Sequence, residues 1–263
     1  MPVDDSWKRI LNDRFDPIYV ISLPRATDRH EHTREVFRDL RFSFFDAVDK
    51  LALDHDALTA SGRYDDAAAR HFDRRRQLPM SLAQIACAMS HARVYEDIVR
   101  HGHRRALIFE DDVVPFEEPL RSLGAVLGAL PADWQILYLG YWYRTRLGAA
   151  ERLKSLAYLG YHYLHLGRWH VRSARYIRNM YARPANEHFL HAGSHKGTHA
   201  YAVTREAAAQ LLAYQTPVRF NADRLLNYAH LQLGTLKAYS SRTVFFEQVN
   251  RLDRDRLVSD VDD

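Results

Sequence analysis

Apolar positions along this chain switch between two periods. Trp7, Ile10 and Leu11 recur at helical spacing and predict a short helix that stops at Asp16-Pro17. The unbroken run Ile18-Tyr19-Val20-Ile21-Ser22-Leu23 predicts a buried strand. A helix is expected from Asp28, which has capping-box spacing to Glu31, as far as about Leu40. Phe42-Ser43-Phe44-Phe45 then makes a second strand, and strand–helix–strand order predicts a parallel α/β unit.

Residues 51–77 are polar, include the cluster Arg74-Arg75-Arg76, and predict an irregular or short-helical excursion. After Pro79, Ser81 with Gln84 has the spacing of a second capping box. Ile85, Ala88, Met89, Ala92, Tyr95 and Val99 supply the apolar face of that helix, which ends at His101-Gly102-His103. Ala106-Leu107-Ile108-Phe109 is a third strand that runs directly into Glu110-Asp111-Asp112. Further on, the pattern predicts helices over 120–130, 204–214 and 223–231, with Thr204 capping the second. Strands are predicted over 134–139, 197–203 and 243–247. The sum is an α/β fold, one mixed sheet flanked by helices, as a single domain over 1–263 with an acidic tail at about 251–263.

Composition narrows the function. A chain of 263 residues that is 47% hydrophobic and 27% charged buries a sizeable core, which excludes disorder as its main state. Nothing near 18 consecutive apolar residues occurs, so no membrane-spanning helix is expected. The N-terminus is acidic where a signal peptide is basic, and the single Cys87 builds neither a disulfide nor a cysteine-rich zinc site. A cytoplasmic location is the expectation. The net charge of +4 hides an uneven distribution. The stretch of about 141–183 holds nine Lys/Arg against one acid, Glu151, whereas the rest carries 28 basic and 32 acidic side chains. A mildly acidic body therefore carries one basic insert, rich in Tyr and Trp.

Candidate chemistry begins with Glu110-Asp111-Asp112. Acids at the carboxyl end of a buried strand, with Glu110 and Asp112 spaced i and i+2, suit a hard divalent cation such as Mg²⁺ or Mn²⁺; the alternative is a solvated acidic turn. Arg25 and Arg29 flank the start of a helix, which suits a phosphate, although surface arginines occur there too. His91 is either a ligand-binding group or a hydrogen-bonded, half-buried histidine, and Cys87 one turn earlier reads as packing. His191, His195 and His199 repeat every fourth residue, but Gly193 and Gly197 argue against a helical metal site. Arg168, Arg172, Arg175 and Arg178 have the spacing of a basic helical face. Interleaved with aromatics, such cations suit sugars, single-stranded nucleic acid or an anionic membrane; a solvated helix is the plain alternative.

These segments, taken in order, resemble glycosyltransferase family 25, which includes bacterial lipopolysaccharide and lipo-oligosaccharide galactosyltransferases and collagen galactosyltransferases. The resemblance is carried by Ile21-Ser22-Leu23-Pro24-Arg25-Ala26-Thr27-Asp28-Arg29, Phe44-Phe45-Asp46-Ala47-Val48-Asp49, Ile85-Ala86-Cys87-Ala88-Met89-Ser90-His91 and Ala106-Leu107-Ile108-Phe109-Glu110-Asp111-Asp112. Trp134-Gln135-Ile136-Leu137-Tyr138-Leu139-Gly140 and Gly197-Thr198-His199-Ala200-Tyr201-Ala202-Val203 complete it. It implies a GT-A-like, Rossmann-type fold, a UDP-sugar donor (usually UDP-galactose), Mn²⁺ or Mg²⁺, and inversion at the anomeric carbon. It also implies that Glu110 and Asp112 bind the metal, with Asp111 beside them. Leu23, Arg25, Arg29, Val48, Asp49, Ser90, His91 and Asp111 would then line the donor site. Asp223 is the implied general base, although it lies six residues beyond Pro217 where the family often has Pro-x-Asp; an N-cap role is its alternative. His199 and Gln248 are the candidates for a third metal ligand. The implied partners are a UDP-sugar, a glycan or glycolipid acceptor and an anionic membrane surface; nucleic acid is not expected. Two other functions fit the residues alone: a non-catalytic binder of nucleic acid or membrane through the insert, and a metal-dependent phosphohydrolase.

Overall fold

The computed structural model describes residues 6–72, 78–142 and 146–249. The arginine cluster at 74–76, Tyr143 and the expected tail at 251–263 lie outside the described residues. The chain opens with α1 (Ser6–Arg14), β1 (Ile18–Ser22), α2 (Thr27–Val36) and β2 (Ser43–Asp46). The excursion is a 3-10 turn (Lys50–Ala52) followed by α3 (His55–Ala60) and α4 (Asp66–Phe72). Then come α5 (Leu82–Arg100), β3 (Arg105–Glu110), β4 (Val113–Pro115), α6 (Glu117–Leu120), α7 (Leu123–Gly128) and β5 (Ile136–Trp142). The insert folds as α8 (Ala149–Tyr163), a 3-10 turn (Trp169–Val171) and α9 (Ala174–Asn179) and ends at β6 (Arg183–Pro184), after which comes β7 (Phe189–His191). The rest is β8 (Lys196–Thr204), α10 (Arg205–Gln215), α11 (Ala222–Asn227), a π-helical segment (Tyr228–Leu233), β9 (Ala238–Ser241) and β10 (Phe246–Gln248).

The expected mixed sheet flanked by helices is present, with eight strands in the order β2-β1-β3-β8-β5-β9-β7-β6. β1 lies parallel to both β2 and β3, β8 runs antiparallel between β3 and β5, and β5 and β9 are parallel. Side chains of β1 and β3 leave the sheet alternately. Ile18, Val20, Leu107 and Phe109 pack under α1 and α7, while Tyr19, Ile21, Ala106 and Ile108 pack under α5 and α10. Burial on both faces is why these strands read as continuous apolar runs. A smaller core (Leu58, Tyr64, Met80, Ile85, Val218) ties the excursion to α5.

Several local expectations change. The Ser81–Gln84 capping box forms, but α2 begins one residue before Asp28, with Ala26 at its cap and no side-chain capping bond, and it ends at Val36 rather than Leu40. Val99 is exposed, and the buried face of α5 instead includes Ala83, Ala86, Ser90, His91, Val94 and Ile98. The helix expected over 120–130 is split between α6 and α7. β5 runs on through Tyr141 and Trp142, so these residues belong to the sheet rather than the insert, and the buried Tyr141 hydroxyl donates to the Ser241 carbonyl at 2.7 Å. The four arginines expected on one helical face do not share a helix: Arg168 and Arg172 flank the 3-10 turn, whereas Arg175 and Arg178 lie on α9. Among the described residues, no helix is long and apolar enough to cross a membrane.

Candidate functional site

β1 and β3 are parallel and in register, Ile21 opposite Glu110, so their carboxyl ends open side by side. That edge is where an open α/β sheet binds ligands. One cavity lies there, lined by Leu23, Arg29, Val48, Ser90, His91, Glu110, Asp111 and Asp112, eight of the residues expected from the sequence. Ile21, Ala26, Ala47, Ala83 and Ala86 add a small-residue apolar wall, and Lys50 adds a cation. Cys87 also lines the cavity, half-buried, rather than serving only as core packing.

The three acids divide their roles. Asp111 is held at 2.6 Å by the Ser22 hydroxyl and at 2.9 Å by the Arg29 guanidinium, so it pins the start of α2 to the end of β1. Glu110 and Asp112 face a common partner from the far end of the chain. β10 pairs antiparallel with β4, setting Gln248 opposite Val113, and the Gln248 Nε2 donates at 3.0 Å to Glu110 and to both oxygens of Asp112. Glu110 also accepts from the Thr198 hydroxyl at 2.8 Å and has the His91 Nε2 at 3.6 Å. Burial pushes the Glu110 carboxyl up, but the neighbouring His91 ring, with His199 and Thr198, holds it below the ordinary range. Asp112 is pushed up to about 7, by burial first and the Glu110 charge second, with the Gln248 bond opposing.

Behind these acids, α5 delivers Ser90 and His91 from its buried face. Ser90 accepts the Val48 N–H at 2.8 Å and so fixes the turn after β2. His91 Nδ1 bonds the Tyr201 hydroxyl at 2.8 Å, and Tyr201 bonds Tyr95 at 2.7 Å, forming a buried polar chain that ends at Glu110. Sequence reasoning missed Thr198, Tyr201, Tyr95, Ser22 and Lys50. Only the apolar setting of Tyr95 and Tyr201, whose hydroxyls need partners once buried, hinted at this chain.

Arg25 and Asp49 do not line the cavity. They pair with each other at 2.8 Å beside it, and Asp49 also accepts the Leu51 N–H, which together hold its carboxyl below the usual range. His199 Nε2 lies 3.3 Å from the Phe246 carbonyl and 3.9 Å from Glu247. Asp223 lines a second cavity with Trp169, Arg172, Tyr176, Lys196, Arg224 and Asn227. Its capping alternative fails, because Asn221 occupies the N-cap of α11. Burial pushes the Asp223 carboxyl up, while Arg224, Lys196 and the Gly197 N–H draw it partly back. Lys196 in the second cavity and Thr198 at Glu110 are two residues apart on β8, roughly 7 Å of strand.

The fold and site define an α/β protein with a cavity at the carboxyl ends of its parallel strands and a buried acidic cluster in the cavity wall. The family model described as glycosyltransferase family 25 (LPS biosynthesis protein) matches residues 15–226, and the chain belongs to that family. A human protein named inactive glycosyltransferase 25 family member 3 is 31% identical over 159 residues, covering 57% of this chain and 26% of that protein. Procollagen galactosyltransferase 1 of Danio rerio is 27% identical over 164 residues, covering 58% and 26%. A glycosyltransferase 25 family member of Anopheles gambiae is 25% identical over 264 aligned positions, covering 94% and 39%. The matched part of this chain thus spans about a quarter of the length of the first two relatives.

Proposed function

We propose that this protein is a metal-dependent, inverting glycosyltransferase that moves a hexose, galactose, from a UDP-sugar to a lipopolysaccharide-type core or similar surface glycan. The observation that carries the reading is the convergence of Glu110, Asp112 and Gln248 in the cavity that Leu23, Val48, Ser90 and His91 also line. Two carboxylates and a carboxamide, which presents its oxygen when turned over, form a hard-oxygen donor set suited to Mn²⁺ or Mg²⁺. The fit is supported by Asp112, whose raised pKa reflects a buried negative cluster short of positive charge. When bound, such an ion would neutralise the charge that the departing diphosphate gains.

The chain's own residues supply the rest of the reaction. The apolar wall seats the nucleoside, and Lys50 and Arg29 set positive charge beside the diphosphate. His91, fixed by Tyr201, holds Glu110 in place. Asp223 takes the acceptor hydroxyl's proton as that oxygen bonds to the anomeric carbon and the bond to the diphosphate oxygen breaks. The second cavity would hold the acceptor, with Trp169 and Tyr176 as sugar platforms among Arg172, Lys196 and Arg224. A glycolipid acceptor at the inner face of the cytoplasmic membrane suits these cations.

The deciding experiment follows UDP release from UDP-galactose, UDP-glucose and UDP-N-acetylglucosamine with Mn²⁺. Release is expected from UDP-galactose, stopped by chelation and reduced at least about 10²-fold in Asp112→Asn. Absence of Mn²⁺-dependent UDP binding by calorimetry would overturn the donor site. The name of the human relative favours a second reading, a chain that binds the donor without transferring it. Intact UDP binding with no transfer to any glycan would select it.

A further inference from the structure

Helix α8 (Ala149–Tyr163) has its polarity reversed. At 100° per residue, Leu153, Leu156, Gly160, Tyr163 and Leu164 form one stripe, and Glu151, Ser155, Tyr158 and His162 form the opposite one. A helix packed on a water-soluble body turns its leucines inward. Here Leu153, Leu156, Tyr163 and Leu164 are 63–70% exposed, and Leu166 in the following turn is 50% exposed. The polar stripe faces the protein instead. Ser155 is the buried residue of the helix, Tyr158 stacks on Trp169 at 3.8 Å, and the His162 Nδ1 lies 3.3 Å from the Trp169 carbonyl. A contiguous apolar face of this kind marks an interaction surface.

We propose that the outer face of α8 docks on an anionic lipid surface. The leucines would enter the boundary between headgroups and acyl chains, Tyr161 and Tyr163 would sit at headgroup level, and the exposed Arg152 would meet lipid phosphates, with Lys154, paired to Glu151 at 3.5 Å, at the edge of the face. Charge favours lipid over a second copy of the chain. The insert carries nine Lys/Arg against one acid, so self-association through α8 would bring two like-charged inserts together. The docking does not depend on transfer activity. It has one consequence for the proposed reaction: Trp169, stacked on the inner side of α8, also lines the cavity that holds Asp223. That cavity would then lie about 10 Å, one helix diameter, behind the lipid surface, within reach of a sugar carried on a lipid anchor.

The test uses the full chain and vesicles of phosphatidylcholine, alone or mixed with phosphatidylglycerol, separated by sedimentation at low salt. Binding to the mixed vesicles and not to phosphatidylcholine alone is expected. The uncharged double variant L153S/L156S should bind at least about tenfold more weakly, with circular dichroism and Tm unchanged because both side chains are exposed. Arg152→Glu with Lys154→Glu should remove the salt-sensitive part of the binding. No binding to the mixed vesicles, or equal binding by L153S/L156S, would overturn the proposal. A dimer in sedimentation velocity that L153S/L156S dissolves would likewise overturn it and assign the face to a second copy. UDP binding, measured separately, distinguishes failure of docking from failure of the donor site.

Discussion

Asp112 and His230 are both buried, yet they tilt stability with pH in opposite senses. Asp112 titrates near 7 in the folded chain against about 4 when unfolded. Its contribution is therefore full below about pH 4 and fades as the pH rises toward 7, where the folded carboxyl ionises among other acids. A divalent cation must displace that proton, so Mn²⁺ should raise Tm more at pH 7.5 than at pH 5.5; equal shifts would remove Asp112 from the ion's binding set. His230 is held down to about 3 by burial, with the His195 and Arg175 charges adding, and its Nε2 lacks a hydrogen-bond partner. The unfolded histidine takes up a proton first, so stability is full above about pH 6.5 and falls as the pH drops toward 3. His230→Leu should move the acid-unfolding midpoint, followed by circular dichroism, to lower pH. An unmoved midpoint would count against this. Glu110 and Asp112 were legible from their place after a strand. Their unequal acidities were not, because His91, Thr198 and Gln248 approach from elements remote in sequence.

At the scale of elements, α5 and the β4–β10 ribbon carry the site. The Ser81–Gln84 box opens the helix that presents Cys87, Ser90 and His91, and Ser81→Ala should lower stability by about 1 kcal/mol, a drop in Tm of about 2–4 °C. The ribbon holds Gln248, and it rests against a bend in β5. A Cβ on Gly140 would meet the Phe246 carbonyl at 2.6 Å and the His199 ring at 2.7 Å. Gly140→Ala should therefore displace β10, weaken Mn²⁺ binding by calorimetry and destabilise the chain by about 1–3 kcal/mol. Unchanged metal affinity would show that Gln248 plays no part in it. The Ser81 box could be predicted because both partners lie within four residues. The Asp28 box failed because α2 starts at Thr27, before the residue expected to cap it. The ribbon joins residues more than 130 apart, and no local pattern announces such a pair.

At the scale of the whole molecule, the proposed function assigns donor chemistry to the cavity lined by Glu110 and Asp112 and acceptor chemistry to the cavity lined by Asp223. Asp223→Asn should lower transfer by about 10²–10⁴-fold while leaving Mn²⁺ and UDP affinity unchanged, as measured by steady-state kinetics and calorimetry. A parallel loss of UDP affinity would place Asp223 in the donor site instead. The charge distribution works at this scale too. Of the nine basic residues at about 141–183, Arg152 and Lys154 lie on α8, Arg168 and Arg172 flank the 3-10 turn, and Arg175 and Arg178 lie on α9. The second cavity is lined by Trp169, Arg172 and Tyr176 from the turn and α9, while α8 presents the leucine face outward.

The period of its apolar residues sufficed to establish an α/β sheet buried on both faces. The order of short motifs identified the family, and the acids at the end of β3 pointed to the wall of the candidate cavity. Those features are local, since strand burial, capping and strand-end position follow from neighbours a few residues apart. The tertiary structure alone decided that Gln248 bridges Glu110 and Asp112, that Asp111 serves as an anchor, and that Asp223 occupies a second cavity. It also decided that α8 turns its leucines outward, a choice invisible in the pattern because an amphipathic helix reads the same whichever side faces the core.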